Sequence, residues 1–209
     1  MNIFYLAKDP VEASRYHLDK HVVKMILEYA QLLCTAHRLV DGEQTSGVTK
    51  TGRKKSVWVL HDDRNDALYS ATHVNHPSAV WARSGACNYE WLYQLFVATC
   101  DEYTFRYGKV HVTDTKFRKL LKQHPRNIKN RKEVQWLGPT PAMPDECKVI
   151  GDHLTSYRLY YIDKKVDMAK WTNREPPQWF LEGIKQKDAY IRLSMQELRT
   201  LFRKDRVNL

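Results

Sequence analysis

The chain has 209 residues, 43% of them hydrophobic and 28% charged, with 34 Lys and Arg against 24 Asp and Glu, for a net charge of +10 and a pI near 9.4. That length and apolar content suit one domain, or a core domain carrying insertions, and exclude a disordered or fibrous chain. The charge favours a polyanionic partner, nucleic acid first and an acidic membrane surface second, while the Ile3-Phe4-Tyr5-Leu6 run is too short for a signal segment or a membrane span.

Asp9-Pro10-Val11-Glu12 predicts a helix start, with Asp9 as cap, Pro10 at the first helical position and Glu12 three residues after the cap. Helical periodicity then runs to about Val40, and Asp41-Gly42 stops it. Along this helix His17, His21, Lys24, Glu28, Gln31, Thr35 and Arg38 follow steps of four and three and share one face. The flanking Leu18, Val22, Met25, Ile26, Leu32 and Leu33 are too apolar for a helix lying free on a surface, so the stripe is expected to border a cleft. A carboxylate beside two imidazoles and an ammonium suits proton transfer. The plainer alternative is a solvated face with an incidental charge pattern.

Residues 43 to 56 read as a polar loop with Gly47, Gly52 and the basic cluster Arg53-Lys54-Lys55, followed by Val57-Trp58-Val59-Leu60 as a short strand or buried turn. His76-Pro77-Ser78 opens a short helix to about Arg83, which Gly85 breaks. Asn88 then caps an amphipathic helix that runs to Tyr107 and closes at Gly108. Asp114 to Gln123 predicts a basic helix, and the proline-punctuated stretch from Pro125 to Pro144 an extended loop. Val149 to Asp163 reads as an aromatic-rich helix; Pro176-Pro177 interrupts the chain, and the capping box Ser194-Met195-Gln196-Glu197 starts a C-terminal helix. The expected fold is mostly α: one helical domain over residues 1–209, with a long first helix, insertions at 41–70 and 109–148 and a C-terminal helix.

Between Lys116 and Lys132 eight Lys or Arg occur with no acid, enough to neutralise several phosphates; a mobile basic loop without one partner is the alternative. Cys34, Cys87, Cys100 and Cys147 lack C-x-x-C spacing and three lie in apolar helical contexts, which favours buried free thiols and a reducing, cytoplasmic compartment. His17 and His21 have the i, i+4 spacing of helical metal ligands, and His73 and His76 form a second close pair. No Glu follows His17 as a metalloprotease helix requires and no third ligand cluster is spaced for metal, so no metal and no cofactor is expected. Asn75-His76-Pro77 also suits a plain helix entry.

Three motifs in order, Asp19-x-His21 followed by Glu28, then His76 leading to Glu102, Arg106 and Gly108, then Arg174-x-x-Pro177-x-Trp179-Phe180, resemble the phage pyrimidine-dimer DNA glycosylase/AP lyase family of the endonuclease V type. They cover about a third of the chain; residues 40 to 70, 109 to 170 and the C-terminal helix have no counterpart, so the resemblance is to an enlarged, distant member. It implies base excision from damaged or modified pyrimidines in double-stranded DNA, with strand cleavage through a Schiff base. A terminal α-amine attacks deoxyribose C1′ and a helix Glu supports the sugar cation and promotes β-elimination. An α-amine titrates near 8 against about 10.4 for lysine, so its nucleophilic free-base fraction at neutral pH is about two orders of magnitude larger. The family carries a small residue after Met, whereas Asn2 is large enough for Met1 to be retained, which displaces the amine by one residue.

On this reading the catalytic residues are Glu28, the amine of Met1, and His21, which orients Glu28 or contacts the sugar phosphate. Expected DNA contacts are His17, Lys20, Lys24, Arg53, Lys54, Lys55, His76, Arg83, Arg126, Lys129, Arg131 and Lys132, with Trp179 or Trp136 stacking on an extruded nucleotide. No membrane and no obligatory protein partner is expected. Two rivals remain: a metal-dependent nuclease or base-modifying enzyme built on the His pairs, and a non-catalytic nucleic-acid-binding protein in which Glu28 pairs with Lys24 or His21.

Overall fold

Asp9 accepts a hydrogen bond from the Glu12 amide at 2.8 Å, and Pro10 opens helix α1, Pro10–Tyr16. The computed structural model describes residues 1–48, 51–129 and 136–205, with the backbone alone at 193 and 197–205. The predicted single helix from Pro10 to Val40 is two helices, because His17 and Leu18 adopt extended backbone before α2, Asp19–Asp41. The His17 ring donates from Nδ1 to the Ala13 carbonyl at 2.6 Å, and so takes the acceptor that a continuing helix would offer to its own N–H. The Asp19 amide turns instead to the Lys170 carbonyl at 2.8 Å.

Residues 43–48 and 54–56 correct the expected loop, while 57–59 form the strand, one of the two readings there: β1, Glu43–Val48, pairs antiparallel with β2, Lys54–Val59, in the register Glu43↔Val59 to Val48↔Lys54. Most of the ribbon is exposed, so its strands lack the apolar alternation by which a half-buried strand announces itself. The short helix α3, Arg64–Ala67, follows. Helix α4, Pro77–Arg83, begins at His76 as expected. Helix α5, Ala86–Tyr107, starts two residues before the predicted cap, from Gly85, and ends at the left-handed Gly108. Asn88 is not a cap. It is buried inside α5, donates to the Trp81 carbonyl and Ser84 Oγ, and accepts from Trp136 Nε1 at 2.9 Å.

Helix α6, Val112–Phe117, is shorter than the predicted basic helix, and turns replace its second half. Helix α7, His153–Lys164, begins after the predicted Val149, where Asp152 caps Thr155. Helix α8, Gln178–Asp205, is continuous through Ser194, whose hydroxyl donates to the Ile191 carbonyl rather than starting a new helix. The fold is mostly α, as expected.

The core forms where α2 packs on α4, α5 and α6, with α1 on α5 and α7 on α8. Through it runs an irregular segment, Ile3 to Ala7, every residue of which is buried. Phe4 stacks on His21 and meets Tyr157 and Tyr161 of α7 edge-on, while Tyr5 meets Trp91 and Trp136. Gly138 holds a left-handed φ of +84° against Tyr5, and a Cβ there would lie 2.6 Å from the ring. Cys34, Cys100 and Cys147 are buried free thiols and Cys87 is exposed; burial pushes the Cys34 thiol up to about 12. Among the described residues no helix is long and apolar enough to cross a membrane.

Candidate active site

The N-terminal segment delivers two nitrogens to one carboxylate oxygen. The Met1 α-amine lies 3.8 Å from Glu28 Oε2, and the Asn2 amide donates to the same oxygen at 3.2 Å. Lys24, one turn earlier on α2, reaches Glu28 Oε1 at 3.1 Å, so both carboxylate oxygens face cationic or N–H donors. Glu28 keeps 13% of its side chain exposed, whereas Lys24 is largely in solvent. The Asn2 side chain fixes the approach: its Nδ2 donates to the Ala142 carbonyl at 2.9 Å, and its Oδ1 accepts from the Ile3 amide at 2.8 Å and lies 2.9 Å from the Tyr157 hydroxyl.

His76 closes the group from α4. Its Nδ1 accepts from the Ser78 amide at 3.2 Å, as an N-cap. Burial lowers the His76 pKa, the positive charges of the terminal amine and His73 lower it further, and Glu28 opposes them. His76 is therefore neutral at pH 7. The turn that carries it depends on His73, a non-glycine residue at φ +49°, and on Thr35 of α2, whose hydroxyl accepts from the Thr72 amide at 3.2 Å. Such a backbone conformation persists only where its surroundings enforce it. The Ser78 hydroxyl, in the first turn of α4, is buried without a hydrogen-bond partner among the described residues.

Of the predicted catalytic residues, Met1 and Glu28 are brought together and His21 is not. His21 lies in the aromatic core, stacked on Phe4 with ring centroids 4.0 Å apart and with Nδ1 2.5 Å from the Tyr161 hydroxyl. Burial lowers its pKa to about 2. His17 is fully buried, its Nε2 2.6 Å from the Tyr29 hydroxyl, and burial lowers it to about 4. Both rings are occupied inside the protein, and His17 corrects the expectation of a DNA contact because neither of its nitrogens is open to a phosphate. Arg38 is buried too, its guanidinium spent on the carbonyls of Trp58, Asn65, Leu68 and Tyr69, so it anchors the chain around the hairpin.

Lys20 is exposed at the start of α2, and Arg53, Lys54 and Lys55 are exposed at the far end of the hairpin. Arg126 and Lys129 are exposed, with the Arg126 side chain 3.6 Å from Asp62. Arg83 lines a pocket beyond α4. Arg131 and Lys132 lie outside the described residues. Trp136 is packed among Tyr5, Trp81 and Trp91, and Trp179 is packed against Tyr16, Tyr161 and Phe180 with the Arg158 guanidinium over its ring. Both indoles are partly exposed and already engaged by these neighbours.

The other matched motifs meet in a separate ionic network. Arg106, fully buried, donates to Glu102 at 2.7 Å, to Asp19 at 2.9 Å and to the Arg15 carbonyl, while Arg174 binds both Glu102 oxygens. Burial works against ionisation of Glu102, yet Arg174 and Arg106 hold its carboxyl below the usual range. Asp19 accepts from the Thr172 amide and hydroxyl as well. Every oxygen and nitrogen of interest here is already paired, which is the mark of an architectural joint.

The sequence reading missed Asn2, Tyr157, Thr72 and the role of His73. A polar residue set directly before a wholly apolar run at 3 to 7 is the one available signal for Asn2. Among the described residues no group of three or more His, Cys, Asp and Glu could hold a metal ion. No protein-family model, curated protein or solved structure matches the chain.

Proposed function

We propose that the chain is a base-excision DNA glycosylase with AP-lyase activity on damaged or modified pyrimidines in double-stranded DNA, working in the cytoplasm. The observation that carries this reading is the seating of the Met1 α-amine and the Asn2 N–H on one oxygen of a partly exposed Glu28 in a chain of net charge +10. The free-base amine attacks C1′, the C1′–N bond breaks, and the base leaves with its electron pair and takes up a proton. The sugar opens to an imine on the amine. The Glu28 carboxylate stabilises the sugar cation, then takes the C2′ proton as the C3′–O bond breaks and the phosphate departs. The proton that the amine must lose before attack passes to solvent, and a neutral His76 adds no positive charge beside the site. Lys20 and Lys24 lie on the same helix and supply positive charge for flanking phosphates.

The test is borohydride trapping on an abasic duplex with the untagged full chain, followed by peptide mapping. A covalent adduct at residue 1 supports the reading, and N-terminal acetylation should abolish it while leaving DNA binding intact. An adduct at Lys24 or Lys20 would move the nucleophile onto α2. Absence of any adduct on abasic DNA together with absence of glycosidic cleavage of UV-irradiated DNA would leave a non-catalytic nucleic-acid-binding protein.

A further inference from the structure

About 17 Å along α2 from Glu28, at 1.5 Å per residue, a pocket of about 410 Å³ opens between the end of α2, the α4–α5 junction and the chain at 127–129. Leu39, Val40 and Val80 form its apolar wall, and Arg83, Asn127 and Lys129 supply its polar groups. Arg83 is the last residue of α4, and its Nη1 is buried with no hydrogen-bond partner among the described residues. Its neighbours in the fold are treated differently. Arg38 is spent on carbonyls, and Arg64, Arg106, Arg118 and Arg174 each bind carboxylates.

Among the described residues no Asp or Glu lines this pocket. Burial pulls the Arg83 pKa below its usual value. A guanidinium nitrogen withdrawn from water without an acceptor is unfavourable until an anion arrives, and the apolar wall strengthens whatever electrostatic contact then forms. The chain carrying Lys129 is fixed at this spot, because its carbonyl accepts from the Ala86 amide at 3.2 Å and the Asn127 amide is held by Asp41 at 2.9 Å. The backbone that carries the second cation to the pocket is therefore held at Asn127 and at Lys129.

We infer that this pocket binds a phosphate group, with Arg83 as a two-pronged donor and Lys129 as a second cation. The planar guanidinium fork matches two phosphate oxygens, and an ammonium adds a point charge for a third. The volume leaves room for the sugar that a phosphate carries. The group can belong to a DNA strand held away from the Glu28 site or to a free nucleotide. The inference rests on the pocket and not on the chemistry at Met1.

Wild type, Arg83→Met, Arg83→Lys and Lys129→Ala are compared as full chains, with inorganic phosphate, a nucleoside monophosphate and duplex DNA as probes and chloride at matched ionic strength as control. Phosphate should raise the melting temperature of wild type in a concentration-dependent way and leave Arg83→Met unmoved, with Arg83→Lys between them. Without phosphate, Arg83→Met should melt no lower than wild type, because an unsatisfied charge has been replaced by an apolar chain. For a DNA phosphate, Arg83→Met should flatten the log–log salt dependence of duplex binding by about one unit. For a free nucleotide, the monophosphate shift disappears in Arg83→Met while the DNA slope stays put. If phosphate and monophosphate move wild type and Arg83→Met alike and the salt slope is also unchanged, the pocket is not a phosphate site. Borohydride trapping runs in parallel, so a chain that traps no adduct can still prove the pocket, and an inert pocket leaves Glu28 untouched.

Discussion

Tyr157 and Asn2 stand 155 residues apart in the chain, and the Tyr157 hydroxyl lies 2.9 Å from Asn2 Oδ1. The same hydroxyl is 2.9 Å from the Thr140 carbonyl. Helix α7 thus fixes the residue whose amide meets Glu28, and the reach of the terminal amine is set from the opposite side of the core. Tyr157→Phe keeps the ring and removes this restraint. We expect about 1 kcal/mol of lost stability and a roughly tenfold slower adduct formation, since a positioning loss of 1.4 kcal/mol is tenfold in rate. Single-turnover trapping and urea titration check both numbers; an unchanged trapping rate would remove Tyr157 from the positioning of the amine.

Glu28→Gln should abolish strand cleavage while leaving duplex affinity unchanged or slightly raised, because it deletes the ionisable group and one negative charge but keeps the shape. Cleavage and binding are measured on the same abasic duplex. Activity within about threefold of wild type is too small a change for an acid/base residue and would end the assignment.

The long α2 helix, its apolar surroundings, the Asp9 cap, the α4 entry and the Gly108 stop were legible because each has a local cause. The stripe along α2 was legible as a pattern and not as a site. A periodic face says which residues line up, yet His21 turns into the aromatic core and Arg38 into a cluster of carbonyls, while Glu28 between them faces the N-terminus. Which way the stripe faces is decided by segments far away in sequence, Ile3 to Ala7 and α7, and no local pattern encodes that. The break at His17 was hidden for a related reason: a side chain, not a proline or glycine, takes the helix acceptor. The first strand of the hairpin was hidden because a strand exposed on most of its surface has no apolar alternation to detect, whereas Val57 to Val59 showed itself as a short apolar run.

Stability should fall on mild acidification. Burial lowers His17 and His37 to about 4 and His21 to about 2. Below about 6.5 the unfolded chain takes protons on these rings that the folded chain refuses, so unfolding gains up to about 1.4 kcal/mol per pH unit for each imidazole as pH drops from 6.5 toward 4. Glu102 and Asp19, held below their usual range, add a contribution that is present above about 4 and lost beneath it. Urea midpoints at pH 7.5, 6.5 and 5.5 should decline across the series, and a flat response would mean that these rings titrate normally in the folded protein.

Arg106→Met should lower stability by about 3 kcal/mol or more, because it strips a fully buried partner from Glu102 and Asp19. Trapping by the molecules that remain folded should match wild type. A loss below about 1 kcal/mol, the range of exposed pairs, would show that Arg174 and Thr172 suffice to hold the network.

The hairpin end should act through charge alone. Replacing Arg53, Lys54 and Lys55 together by Ala should weaken binding to any duplex sequence to a similar degree and flatten the log–log salt slope by up to about three units. Filter binding from 50 to 200 mM salt on two unrelated sequences makes the comparison. A preserved slope would place the ribbon away from DNA.

The threading of residues 1 to 7 through the core sets when the site can first exist. Asn2 is held by Ala142 and Tyr157, at sequence separations of 140 and 155. At a synthesis rate of 5–20 residues per second, the opening segment waits roughly seven to thirty seconds for these partners. Throughout that wait Phe4 lacks its Tyr157 and Tyr161 neighbours, and the part of the segment left uncovered is an apolar patch suited to a chaperone. A nascent or prematurely terminated chain therefore has an amine but no seat for it, and Glu28 acquires its neighbour only after three-quarters of the polypeptide has been made.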